Sequence, residues 1–227
     1  MVLRFREIYE IWRRDNSLRR ALNDHRSILE RTTRMFQESV KSLRESETGE
    51  IGINIYEEDR MVNHHQREVR RKVLRYLAIT GGTNVIAGLT LISIVIDSER
   101  IGDYTKNIME LAVAHPHRLT GGRYEADLKK IESSIGAMFG RIASILGYVD
   151  ADGARALIRD NFWIRARCDK ILLDLIKGKE ASLSSGDAVA VALYVRYLKR
   201  VAAHLLNILS SVVNPFERIG YREEEEV

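Results

Sequence analysis

The run Val85 to Ile96 (VIAGLTLISIVI) is apolar on nearly every face that a helix can present. A helix with no polar side has nothing to offer water, so other helices must surround it. A bilayer span takes about 20 apolar residues, and here Asp97, Glu99 and Arg100 follow at once, so the run is too short to cross a membrane. It predicts a buried helix at the centre of a bundle. With 227 residues, 45% of them hydrophobic and 30% charged, the chain can both bury a core and coat it.

The flanking sequence supplies the helices to do so. Leu22, His25, Leu29, Thr32, Phe36, Val40 and Leu43 follow a three-four spacing, which predicts a helix from about Ser17, its N-cap, to Leu43. Glu45 to Gly52 is polar and glycine-punctuated, hence a loop. A second helix is expected from Ile53 to Ile79, where Ile55, Val62, Val69 and Tyr76 recur at seven, with a stop at Gly81-Gly82. Asn84 is the expected cap of a third helix, which runs to about Ala114 before Pro116 forbids continuation.

After Gly121-Gly122 the same grammar returns. Leu128, Ile131, Ile135, Met138, Ile142 and Ile145 form the seam of a helix from about Tyr124 to Tyr148. Asp150 to Gly153 marks a turn, and one further helix is expected to reach Lys177 and stop at Gly178. Ser184, Ser185 and Asp187 offer caps for a last helix ending near Asn214-Pro215. No run alternates as a strand would, so the chain is expected to be all-α, with six long helices in two three-helix bundles. The expected units are an N-terminal amphipathic segment (1–16), a first bundle (17–116), a second bundle (120–215) and an acidic tail (216–227).

The two halves overlay at an offset of 100 residues. Glu99 to Ile108 falls on Lys199 to Ile208, with Arg100, Asn107 and Ile108 identical to Arg200, Asn207 and Ile208. Gly102 and Ala202 match in kind, both small enough for close helix approach. Third helices that match predict two bundles packed side by side.

The run Ile94 to Ile108 (IVIDSERIGDYTKNI) resembles the third-helix signature of the PhoU family. There an acidic residue, an arginine and a small residue lead to an aspartate four positions after the acid, followed by an asparagine-isoleucine pair. Tyr197 to Ile208 resembles the same element in a second repeat, and Glu68 to Leu74 adds support on the second helix. The resemblance implies two similar three-helix bundles. It implies a non-enzymatic, negative regulator that links phosphate transporter components to a phosphate-sensing pathway and its sensor kinase. It also implies metal held by acidic motifs of the E/D-x-x-x-D kind. Related domains accompany phosphate permeases and ion-channel regulators, so a cytosolic accessory subunit of such a membrane protein is the nearest alternative. A metal-dependent enzyme is the second.

Glu99 and Asp103 lie one turn apart on one face, so both carboxylates can reach a single ion. Asp59 and Asn63 repeat that spacing on the second helix, and the resemblance sets the two pairs opposite each other. Glu58 lies next to Asp59, and oxygen ligands suit magnesium, calcium, manganese or ferric iron; His64 and His65 beside them widen the choice to zinc and ferrous iron. The alternative reading is ion pairing of Glu99 with Arg100 or Arg70, and of Asp103 with Lys106 or an arginine on the second helix. Lys199 and Ala203 stand where a second copy would need acids, so one site per chain is expected.

Other classes lack their parts. No G-x-x-x-x-G-K-[ST] loop, G-x-S-x-G elbow or H-E-x-x-H occurs. The net charge is +4 with arginines on every helix, so no nucleic-acid partner is expected. The N-terminal segment mixes arginines with Phe5, Ile8, Ile11 and Trp12, a pattern for a helix packed on the body, with peripheral membrane contact as the other use. The single cysteine, Cys168, fits a reducing, cytoplasmic setting and a structural role. His204 is expected to be structural or on the surface. An adaptor surface also favours self-association, with a C2 homodimer as the simplest closed form.

Overall fold

The computed structural model describes residues 4–47, 52–115 and 117–221. The middle of the expected loop, Pro116 and the expected acidic tail Glu223 to Glu226 lie outside them. Among the described residues there are eight α-helices and no strand: α1 Phe5–Arg14, α2 Asn16–Glu45, α3 Ile55–Ile79, α4 Val85–Ala114, α5 Glu125–Tyr148, α6 Ala151–Asn161, α7 Trp163–Ile176 and α8 Ser185–Val213. The fold is all-α, as the periodicity predicts. No helix of the described residues is long and apolar enough to cross a membrane.

The eight are the expected N-terminal amphipathic helix, α1, and the six long helices with the fifth divided in two. Asp15 is extended, and its carboxylate accepts from the backbone N–H of Ser17 (2.7 Å) and Leu18 (2.9 Å). It therefore caps α2 in place of Ser17, because it stands just ahead of the orphan amides of the first turn. The expected single helix up to Lys177 is split at Phe162. Just before the break, the Asn161 side-chain amide donates to the Leu157 carbonyl at 2.8 Å. That carbonyl is the normal i−4 acceptor of the helix ladder, and a side chain competing for it is a physical cause of such breaks.

α4 packs against α2 and α3 on one side, α8 on another and α1 at its start, while α8 packs against α4, α5, α6 and α7. The matching third helices of the two halves are thus the two central ones. They run antiparallel: Asp97 meets His204, and Tyr104 meets Tyr197. Within the apolar run, Ala87, Gly88, Thr90, Leu91, Ile94 and Val95 are buried. Val85 and Leu89, one turn apart on one face of α4, are exposed, while Ala87 and Gly88 in the same turns are buried. Close approach is visible at two glycines. A Cβ on Gly88 would lie 3.0 Å from Val73, and one on Gly102 would lie 3.3 Å from Val62. At Gly102 the bare backbone lets α3 and α2 crowd onto α4.

The α5 seam is buried at every position expected, Leu128 through Ile145. α1 buries Phe5, Ile8, Tyr9 and Trp12, and the Trp12 indole N–H donates to the Ala87 carbonyl at 2.9 Å. Its apolar face is used against the body. The end of α2 is fixed to the second half by Arg44, whose side chain is 6% exposed. Its guanidinium donates to Glu132 (2.9 Å), Glu125 (2.7 Å) and the Leu119 carbonyl, and Tyr194 donates to the same Glu132 oxygen at 2.8 Å. A charge this buried is tolerated because its donors meet two carboxylates and a carbonyl.

Candidate functional site

The i, i+4 geometry of a helix puts Glu99 and Asp103 one above the other on α4, and Asp59 and Asn63 likewise on α3. The structure brings both pairs to the α3–α4 seam. Asp59 and Asp103 are joined through one ammonium: Lys106 Nζ lies 3.0 Å from Asp59 Oδ2 and 3.7 Å from Asp103 Oδ1. Asn63 Nδ2 donates to the same Asp59 oxygen at 3.3 Å. Arg100 reaches Asp103 at 3.2 Å and Glu99 at 3.8 Å.

The electrostatics follow from this crowding. Burial, then the Asp103 charge, raise the Glu99 carboxyl above the usual range; Arg100 and Arg70 oppose the shift, and Asp59 adds to it. Glu99 Oε2 is buried with no hydrogen-bond partner. Burial pulls Lys106 down, yet its hydrogen bond to Asp59 and the charges of Asp59, Asp103 and Glu110 leave it above its ordinary value.

The cation of this cluster in the structure is therefore Lys106. Sequence reasoning paired Lys106 with Asp103 and missed its bond to Asp59, because no helix-face rule connects residues 47 apart. A metal fits the donor set in one respect: three carboxylates, one with an orphaned buried oxygen, form a hard-ligand cluster. In another respect it does not. Asn63 turns its amide nitrogen, not its oxygen, toward Asp59. Asp59, Glu99 and Asp103 also do not converge to within 4.8 Å of one another. A metal here requires Lys106 to leave.

The neighbours weighed for the site are engaged elsewhere. Glu58 pairs with Arg31 at 2.6 Å and with Arg34, both on α2. His65 faces Asp24 at 3.3 Å, and His64 is exposed. At the equivalent place in the second half, Lys199 pairs with Asp169. His204 is structural: its Nδ1 lies 2.7 Å from Asp97 Oδ1, which also accepts from Asn207 Nδ2 at 3.1 Å, and its ring stacks on Tyr104. Cys168 is fully buried, and burial pushes its thiol up to about 12, which leaves no thiolate for chemistry at neutral pH.

Residues 26–112 match the family model of the PhoU domain. The matched stretch holds α3, most of α2 and nearly all of α4, including all four residues of the cluster. The fold of the whole chain is similar to that of PhoU from Pseudomonas aeruginosa, with a TM-score of 0.74 at 19% identity, over 87% of this chain and 95% of that one. It is also similar to the phosphate transport system regulatory protein PhoU from Streptococcus pneumoniae, with a TM-score of 0.70 at 16% identity, over 92% and 95%. No curated protein sequence gives a significant match. At these identities the structural likeness establishes the fold alone, an all-α helical bundle like that of the PhoU structures.

Proposed function

We propose that this protein is a PhoU-like regulator of phosphate transport that acts by protein–protein contact in the cytoplasm. The observation that carries the reading is the PhoU domain match at 26–112 inside a chain whose whole fold follows PhoU. Its two units are the bundles at 17–116 and 120–215, and its partners are phosphate transporter components or the sensor kinase that reads them. In this reading the α3–α4 cluster is a set of carboxylates held by cations.

Deletion of the gene in its host, followed by phosphate-uptake measurements in phosphate-replete medium, tests this. A negative regulator gives uptake that stays high after deletion and falls when the chain is restored. Uptake and transporter expression unchanged by deletion would sink the reading. A fall in uptake or in ion flux would instead favour an accessory subunit of a permease or channel.

The metal reading of Asp59, Asn63, Glu99 and Asp103 is part of the proposal, in the form of an exchange. A divalent or ferric ion takes the position of the Lys106 ammonium, and the orphaned Glu99 oxygen becomes a ligand. Removing Lys106 then raises metal affinity, and removing Glu99 and Asp103 abolishes it.

A further inference from the structure

A different set of side chains has the geometry of a metal centre. α4 ends at Ala114, His115 is its C-cap, and His117 follows two residues later. Asp187 lies in the first turn of α8, so the three residues join the end of one central helix to the start of the other. His115 Nε2 is 3.0 Å from Asp187 Oδ1, and His117 Nε2 is 3.3 Å from the same oxygen. The two rings meet edge-on at 4.5 Å between centroids. Among the described residues, these three alone bring a set of His, Cys, Asp or Glu ligand atoms within 4.8 Å of one another.

The hydrogen bonds around the cluster point the same way. His115 Nδ1 lies against the His117 carbonyl oxygen. A carbonyl only accepts, so Nδ1 carries the proton, and in the neutral ring Nε2 is the lone-pair nitrogen. That lone pair faces a carboxylate oxygen, which is also an acceptor. Two acceptors 3.0 Å apart need a cation between them, either a proton or a metal. A carbonyl on the far ring nitrogen is also the usual partner of a metal-bound histidine, because it fixes the ring and its tautomer. Asp187 is oriented as well: its Oδ2 accepts from the Ser184 hydroxyl at 2.7 Å, which leaves Oδ1 for the imidazoles.

We propose that His115 Nε2, His117 Nε2 and Asp187 Oδ1 bind one borderline divalent cation, Zn²⁺ or Fe²⁺, that ties α4 to α8. Bonds of about 2.1 Å in tetrahedral or octahedral geometry separate neighbouring ligand atoms by about 3–3.5 Å, the spacing of each imidazole nitrogen from Asp187 Oδ1. Two imidazoles and one carboxylate exclude Mg²⁺ and Ca²⁺ as the preferred occupants, since those ions take oxygen. The side chains of His115 and Asp187 are 7% and 23% exposed, while that of His117, at 54%, stands at the mouth. A cleft of about 290 Å³ opens beside them between Leu111 and Leu193, with room for water at the remaining coordination position. The N-terminus of α8 opposes a cation there, but the Asp187 charge lies in the same turn and outweighs that partial charge. Metal binding displaces the proton between ring and carboxylate, so affinity falls as the pH is lowered.

The proposal does not depend on the regulatory reading. Calorimetry with Zn²⁺ alone on the full chain tests it. Wild-type protein should bind one equivalent at this site. His117→Ala removes an exposed side chain, and Asp187→Asn keeps the size of the group, so neither threatens the fold. Each should weaken that binding at least tenfold, while the Glu99→Gln, Asp103→Asn double variant keeps it. Zn²⁺ affinity unchanged in both His117→Ala and Asp187→Asn, or no Zn²⁺ bound by the wild type, would overturn it.

Discussion

The two halves use one helix pattern for different electrostatic ends. On α4, Asp103 shares the Lys106 ammonium with Asp59 of α3, while Glu99 one turn back lies 3.8 Å from Arg100. On α8, the equivalent positions are Lys199 and Ala203, and Lys199 makes one ion pair with Asp169. The apolar sides did not diverge: Ile101 and Val201, Ile108 and Ile208, and Gly102 and Ala202 are all buried. Core packing constrains both copies alike, since a lost methylene is felt wherever packing is dense. The outer face is free to hold a strained cluster in one copy and an ordinary surface pair in the other.

The strongest test of that equivalence is at the core. Ile108→Ala and Ile208→Ala each should cost about 2–5 kcal/mol in denaturant unfolding, and similar amounts if the copies are equivalent. Costs differing several-fold would break the comparison. Next comes the cluster. Lys106→Ala leaves Asp59 and Asp103 without their shared ammonium and should cost about 1–2 kcal/mol, recovered on adding a divalent ion. No recovery with any divalent or ferric ion would remove the exchange proposed for that site.

A smaller effect is expected from Glu99→Gln, with a sign fixed by pH. The folded carboxyl sits above its ordinary value, so the folded state holds its proton more tightly than the unfolded one. That favours folding below the unfolded value, and the advantage is lost as pH rises through the raised folded value. Glu99→Gln should therefore be more stable than wild type at neutral pH, and the difference should vanish below the ordinary carboxyl value of 4.5. Thermal melts across that range give the answer; an equal difference at every pH would show that charge is not the cause. The smallest effect is Lys199→Ala, within about 1 kcal/mol of wild type, because Asp169 is 51% exposed and water screens the pair.

Much of this was legible in the chain because periodicity reports burial. The α5 seam from Leu128 to Ile145 and the centrality of α4 follow from spacing and from a run with no polar face. The α6–α7 break was not legible, since it turns on Asn161 bonding back to Leu157, and an asparagine in a helix does so only in some settings. The carboxylate pairs could be placed on their helices, but the cation between them could not, because Lys106 reaches Asp59 across a seam whose register no spacing rule gives. His115 and His117 carried a weak signal, two histidines separated by one residue. Their partner Asp187 is 72 positions from His115 and reads in sequence only as a helix cap.

The antiparallel pairing of α4 with α8 also sets an order in time. Asp97 meets His204 and Asn207, residues 107 and 110 positions further along the chain. Synthesis proceeds at about 5–20 residues per second, so α4 leaves the ribosome roughly 5–20 s before the residues that will cover this side of it. Helices α2 and α3 are already made by then and shelter their own side of α4. The side that carries Asp97 and Tyr104 waits bare, and for that interval the nascent first half presents to the cell the surface that the finished protein keeps dry.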